Sequence, residues 1–395
     1  EQIESIVIIP GGGEFVYDTI TQTKINGRKV GKTFAQAGVT RSINQHTPYG
    51  KANALVSLDQ LQNTLPNVKW VSVVVNWFGT SLNAGECKIV PGVEFKDDVI
   101  TTPDTWKVCG IGRESAHLIS KINNKPQFGG TINDASLIRY LKELKERGYK
   151  VLLYPMLFMD MPGKPWRGKI TGTPSEVKKF FENNGYNEFI KHYANLSKGL
   201  ADAFLIGSEL IGITKVEENA GVDQLVTLAK EVKEVVGNDT KISYAADWSE
   251  YHHADGGWYN LDKLWASENI DFIGIDAYFP LINKNESEYD VNKIAEGWES
   301  GEGYDFYFEG AQKKSLSKEY AWKNIKWWWE NEHINPDGVK TLWKPKSKKI
   351  WFTEYGFPSV DCTTNQPNVF FDETTKDSAL PRHSKGIVDF KAQRA

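Results

Sequence analysis

The sequence predicts an α/β protein built as a (β/α)8 TIM barrel whose eighth strand is missing or irregular. Three observations predict it. Seven apolar, β-rich runs recur along the 395 residues. They are continuously apolar, as parallel strands covered on both faces are. Segments with helical periodicity separate them, which is the alternation of a parallel sheet. Seven such units favour a barrel over an open sheet, and one barrel domain can use a chain of this length.

The runs begin with IVIIPGGGEF at Ile6 and VKWVSVVVNWFG at Val68. KVLLYPMLFMD follows from Lys150, DAFLIGSEL from Asp202, KISYAADWSEY from Lys241, IDFIGIDAYFP from Ile270 and KKIWFTEYGFP from Lys348. Between the second and third runs, Asp134 is placed to cap the helix ASLIRYLKELKERG. Its Leu137, Leu141 and Leu144 share one face, and Gly148 suits its end. VDQLVTLAKEVKEVVG is a helix after the fourth run. EYAWKNIKWWWENEHI is another before the seventh, and its tryptophans read as helix core. No repeat, linker or low-complexity segment interrupts a single domain over residues 1–395. After Pro358 come an irregular stretch and the short KGIVDFKAQRA. Either the barrel closes unconventionally or its last strand is absent, so NVFFDETT or GIVDFKAQRA is expected to cover the open strand edges.

Composition excludes several classes. With 40% hydrophobic and 25% charged residues, net charge −4 and pI about 6.1, the chain is ordinary soluble protein, and nothing favours nucleic acid or an anionic membrane. No apolar run reaches the roughly 18 residues of a membrane helix. Cys87, Cys109 and Cys362 lack CxxC spacing and leave an odd thiol, so neither a disulfide framework nor a zinc site is expected. His252 and His253 are adjacent, and adjacent histidines usually point apart, so they are expected to make poor metal geometry. No metal or cofactor is expected. IIPGGGEF lacks both G-x-G-x-x-G and GK[ST], so it reads as a tight turn. CGIGRES, residues 109–115, is equally weak as a nucleotide motif; its Arg113 would bind an acid on the rim or a surface partner. The aromatic share of 12%, with 14 Trp, suits sugar binding, although core packing accounts for part of it.

Five runs end in acids. Asp160 closes the third, Glu209 the fourth, Asp247–Trp248 the fifth, Asp276–Ala277–Tyr278 the sixth and Glu354–Tyr355 the seventh. Barrel active sites lie at the C-terminal strand ends, so these acids share one rim. A lone acid there is more often a helix cap or a loop ion pair; five interleaved with Trp and Tyr point to glycosidic-bond chemistry. That reaction needs one protonated carboxyl to donate to the leaving oxygen and one ionised carboxyl to attack or to activate water.

A glutamate ending the fourth strand and another ending the seventh resembles the layout of the largest clan of retaining glycoside hydrolase barrels. There the first is the acid/base and the second the nucleophile; the Asn that usually precedes the first is Ser208 here. The chain is more closely similar to the TIM-barrel-like domain of the large tail proteins of gene transfer agents and related phages. The shared segments are IPGGGEFVYDT, VVNWFGTSLNAGECKIVPGVE, FGGTINDASLIRYLKELKERG, ISYAADWSEY, GIDAYFPL, GEGYDFYF and WFTEYGFPSVDCTTNQPNVF. This resemblance implies a barrel made in the bacterial cytoplasm, carried on a phage-like tail with other tail or baseplate proteins as partners. It would face a bacterial envelope glycan as carbohydrate substrate, and a further Trp- and Asp-rich strand would follow the last residue. On this reading Glu354 is the nucleophile with Tyr278 as its donor. Glu209 is the acid/base, its pKa raised by a drier setting and by the charge of Glu354. Asp247 and Asp276 bind sugar hydroxyls. Trp77, Trp248 and Trp258 are stacking platforms or core, and Asp160 and Arg113 complete the candidate set. The alternative is a glycan-binding or structural module that keeps the barrel without catalysis.

Overall fold

The computed structural model describes residues 3–9, 13–30, 33–36, 41–96, 99–182, 185–282, 289–298, 308–309, 314–315 and 317–395. The turn expected at PGGG and the shared segment GEGYDFYF lie largely outside the described residues. All seven runs form strands: β1 (Ser5–Ile8), β2 (Trp70–Gly79), β3 (Lys150–Met159), β4 (Ala203–Ser208), β5 (Lys241–Asp247), β6 (Phe272–Asp276) and β7 (Lys349–Glu354). Each pairs in parallel with the next in chain order, so the sheet is barrel-type and no strand is displaced. Among the described residues, no strand pairs with the outer edge of β1 or of β7.

The apolar runs conceal an alternation. Val71, Val73, Val75 and Trp77 of β2, Val151, Leu153 and Leu157 of β3, Phe204 and Ile206 of β4, and Ile273 and Ile275 of β6 join one large core between sheet and helices. Residues of the opposite phase, Val74, Leu152, Tyr154, Met156, Ala203, Leu205, Ala245 and Phe272, form a second cluster on the concave face. Period-two side-chain direction sorts each strand into these two sets. Both sets are apolar because both faces are buried.

The helical layer includes α1 (Asn53–Thr64), α2 (Asp134–Glu146), α3 (Pro174–Glu182), α4 (Tyr186–Ser197) and α5 (Ala220–Val236). In α2, Leu137, Leu141 and Leu144 are buried together, and Gly148 follows the helix at φ +86°, a left-handed position that glycine takes without strain. Two expectations are corrected. Asn133 rather than Asp134 occupies the N-cap, while Asp134 accepts from the Cys109 amide and contacts His192. The helix expected across residues 319–334 is only Ile325–Glu330, although Trp328 is core as anticipated.

The segment after β7 is corrected too. Neither NVFFDETT nor GIVDFKAQRA covers the edge of β7 or β1 among the described residues. The first reaches the loop after β3, where the Thr375 hydroxyl donates to Gly163 O at 3.1 Å. The second folds back on its own base, with Val360 bridging Val388 and Asp361 accepting from the amides of Lys385 and Ile387. Its polar groups find these partners on the rim, so they are not free for the sheet edges.

Candidate active site

Glu209 and Glu354 each follow an irregularity in their strand. The β4–β5 register shifts between Leu205 and Ser208, and the β6–β7 register shifts between Ile275 and Asp276. A bulge of this kind re-aims the next side chain. Gly207 makes the first one feasible, because a Cβ there would lie 2.2 Å from the Tyr186 hydroxyl. Glu209 then sits at φ +49°, a left-handed conformation rare for glutamate. It is held by its own amide donating to Ala245 O (2.8 Å) and by the Leu210 amide donating to the Tyr244 hydroxyl (2.6 Å). Asp276 pairs in register with both Asp247 and Glu354, so the carboxyl-bearing ends of β5, β6 and β7 are level. Glu209, Asp247, Asp276 and Glu354 are all buried, at 8, 7, 0 and 7% exposure.

Four buried carboxyls are served by one buried guanidinium. Arg167, in the loop after β3, places Nη2 2.8 Å from Glu209 Oε2 and donates Nε to Ser208 O at 3.0 Å. Trp166 donates its indole N–H to the same Glu209 oxygen at 2.7 Å. Burial disfavours the Arg167 charge, yet Glu209, Asp276 and Glu354 around it raise its pKa and keep it a cation. Glu209 is buried, and the ion pair with Arg167 is a partner that the sequence reading did not include.

Glu354 has fewer partners. The Tyr278 hydroxyl donates to Oε2 at 2.8 Å, while Oε1 is buried with no protein partner. Burial, then the charge of Glu209, pushes Glu354 up to about 7 against the pull of Arg167 and Tyr278. Asp276 accepts from the Tyr154 and Thr353 hydroxyls, each at 2.7 Å. Burial and the neighbouring Glu354 and Glu209 push its pKa well above the carboxylate range. Asp247 accepts from the Ser249 amide at 2.8 Å, and burial together with Glu209 pushes it up to about 7. Behind it, burial pushes Glu250 up to about 8, although the Thr214 and Tyr244 hydroxyls and the Asp247 amide donate to it. Clustered acids and a low local dielectric favour protons over charges here.

The other candidates separate from this group. Trp77 is buried between the sheet and α4, its ring centroid 5.3 Å from Phe189, so it is core and not a platform. Trp248 is 9% exposed and lines a cavity of about 330 Å³ with Ser249, His253 and Trp322. Trp258 is 43% exposed but borders a different groove, of about 640 Å³, with Lys215 and Asn335. Glu209, Asp276 and Glu354 line neither. Asp160 is enclosed by the loop after β2: burial opposes its charge, but hydrogen bonds from His117, Ser120 and Gln127 outweigh it and hold its pKa at about 2. With both oxygens engaged, it is a loop anchor. Arg113 pairs with Glu14 just beyond β1 and donates to Phe95 O at 2.9 Å. His252 and His253, expected to point apart, instead bring their Nδ1 atoms within 3.0 Å of each other, because both rings are packed among aromatics; among the described residues no group of His, Cys, Asp and Glu could hold a metal ion.

Arg167, Trp166, Tyr154 and Thr353 were not singled out from sequence. Tyr154 shares the phase of Leu152 and Met156, a signal readable only once the concave face is known. Arg167 and Trp166 lie in KPWRGK, seven residues beyond a strand end, where nothing local marks them as reaching the next strand.

A family model described as the GTA TIM-barrel-like domain matches residues 184–395. The chain belongs to this family. The matched portion of the GTA TIM-barrel-like domain contains β4 to β7 and all four clustered acids. No curated protein sequence matches the chain significantly. Among solved structures, a GH113 β-1,4-mannanase complex is similar with TM-score 0.49 and 17% identity, over 86% of this chain and 74% of that one. The GH113 β-mannanase AaManA from Alicyclobacillus acidocaldarius, in complex with ManMIm, gives 0.46 and 16%, over 89% and 76%. No helix among the described residues is long and apolar enough to cross a membrane.

Proposed function

We propose that this barrel is a retaining glycoside hydrolase acting on a bacterial envelope glycan as part of a phage-like tail, with Glu209 and Glu354 as its carboxyl pair. The observation that carries the reading is the asymmetry of Glu354: one oxygen is held by Tyr278 and the other has no protein partner. A nucleophile needs that arrangement, oriented by one oxygen and free to attack with the other. Burial favours the proton on Glu354. A sugar hydroxyl donating to this carboxyl would favour its ionisation, and Glu209, beside Arg167 and Trp166, would deliver a proton to the leaving oxygen. Asp247 and Asp276 would accept from sugar hydroxyls.

The test is a screen of bacterial wall and capsule preparations, followed by azide rescue on whichever glycan is cleaved. Glu354→Gly with azide should give a glycosyl azide of inverted configuration, and Glu209→Gly one of retained configuration. The opposite pair of products would exchange the two roles. Retention also requires carboxyl groups roughly 5–5.5 Å apart, whereas about 6.5–9.5 Å belongs to inversion. One observation favours the non-catalytic alternative: Oε2 of Glu209 is already engaged by both Arg167 and Trp166. A wild type that binds wall glycan as tightly as Glu354→Gln and cleaves none would establish that reading.

A further inference from the structure

We propose that the segment after β7 is a working part of the site, in which Asp377 is a positioning residue that fixes Trp166 against Glu209. This rests on Glu209 being a catalytic carboxyl. Beyond β7 the chain runs along the rim. It meets the loop after β6, where the Leu281 amide donates to Thr364 O (2.8 Å) and Asn365 donates to Ile282 O (3.0 Å). It then reaches the loop after β3, with β4, β5 and β6 lying between its two ends. There Thr375 and Lys376 both donate to Gly163 O, Lys164 pairs with Asp372 at 3.4 Å, and Asp377 pairs with Lys169. The fit is close: a Cβ on Gly163 would lie 2.5 Å from Lys376 Cγ.

The contact that matters most is the Trp166 amide, which donates to Asp377 Oδ2 at 2.9 Å. Trp166 is thereby held at three points. Its backbone is tied to the segment after β7, which forms a strap along the rim, its ring lies so close over Gly168 that a Cβ there would be 2.5 Å away, and its indole N–H reaches Glu209. Such a donor is useful to a catalytic carboxyl only if its position is fixed, because hydrogen-bond strength falls steeply with misalignment. Partly exposed ion pairs of this kind contribute little to stability, so the strap's ties are better explained by where they hold Trp166.

The test reads the indole directly. In protein labelled with 15N-tryptophan, the Trp166 indole signal is assigned by its loss in Trp166→Phe. Asp377→Ala should shift that signal and displace the midpoint of its pH titration. Asp372→Asn, which loosens the strap without touching Trp166, should leave both unchanged. On a cleaved glycan, Asp377→Ala should lower kcat about tenfold with KM nearly constant, the mark of an interaction made in the transition state. An unchanged Trp166 signal and titration in Asp377→Ala overturns the proposal. Should that variant fail to fold, Asp377→Ser is read in the same way. A wild type inactive on every glycan, with the Trp166 shift present, removes the catalytic reading and leaves the positioning of Glu209. An active wild type with no shift removes only the role of Asp377.

Discussion

Arg167 is the residue on which the rim depends electrostatically. Replacing one partner of a buried ion pair leaves the other charge uncompensated, which costs about 3–5 kcal/mol. Arg167→Met should therefore lower stability by that order in urea unfolding. Combined with Glu209→Gln it should cost less than the two single changes added, because the pair acts as a unit. Trp77 gives the opposite kind of prediction. Trp77→Ala should cost about 3–5 kcal/mol while leaving glycan cleavage per folded molecule unchanged, since the ring is in the helix-facing core. That the sequence left Trp77 open between platform and core has a definite cause. In a strand buried on both faces nothing polar marks the phase, and Trp77 has the phase of Val71, Val73 and Val75. Counting back from Asp247 or Asp276, whose phase is that of Ala245 and Phe272, works on their own strands only, because the two bulges break the count at Glu209 and Glu354.

At the level of elements, each glutamate owes its direction to a bulge, and the β4 bulge can be tested sterically. Gly207→Ala would put a methyl group into the Tyr186 hydroxyl. Overpacking of this kind costs about 1–3 kcal/mol. Loss of stability should accompany loss of glycan cleavage as Glu209 is displaced. Adding Tyr186→Phe to the same chain removes the obstructing oxygen and should restore part of both, measured by thermal melting and by cleavage rate. No recovery would mean that the backbone conformation, and not Tyr186, demands the glycine. The strands themselves were legible because seven apolar runs ended in polar, turn-forming residues. The strap was not, because its partners on the β3 loop lie about two hundred residues away in sequence.

For the whole molecule, the buried ionisable groups set opposing pH slopes. Glu354 and Asp247 are pushed up to about 7 and Glu250 to about 8, all above their unfolded values of about 4. Their protonated forms suit the fold, so this contribution is full below about pH 4 and is lost as pH rises towards 8. Burial holds His253 down to about 3 and lowers His252 well below the usual histidine value. Their contribution is present above about pH 6.5 and lost as pH falls towards 3. Melting temperature should therefore peak at mildly acidic pH. Glu354→Gln, neutral in both states, should flatten the alkaline limb; an unchanged limb would show that Glu354 is ionised in the folded protein. The barrel class was readable because it follows from run count and alternation. The proton balance of the rim was not, since it depends on which groups the fold buries together.

The ties between Asp372–Asp377 and the loop after β3 also bear on time. Strand pairs such as β3–β4 close shorter loops than the tie of Lys169 to Asp377, which spans 208 residues. Loop-closure entropy delays contacts of that span, so the sheet can assemble before Trp166 is locked over Glu209. A newly made chain would pass through a stage with its core formed and its rim unfinished. In refolding experiments, burial of core tryptophans should then precede the recovery of glycan binding, and the interval should lengthen when Asp372 or Asp377 is replaced.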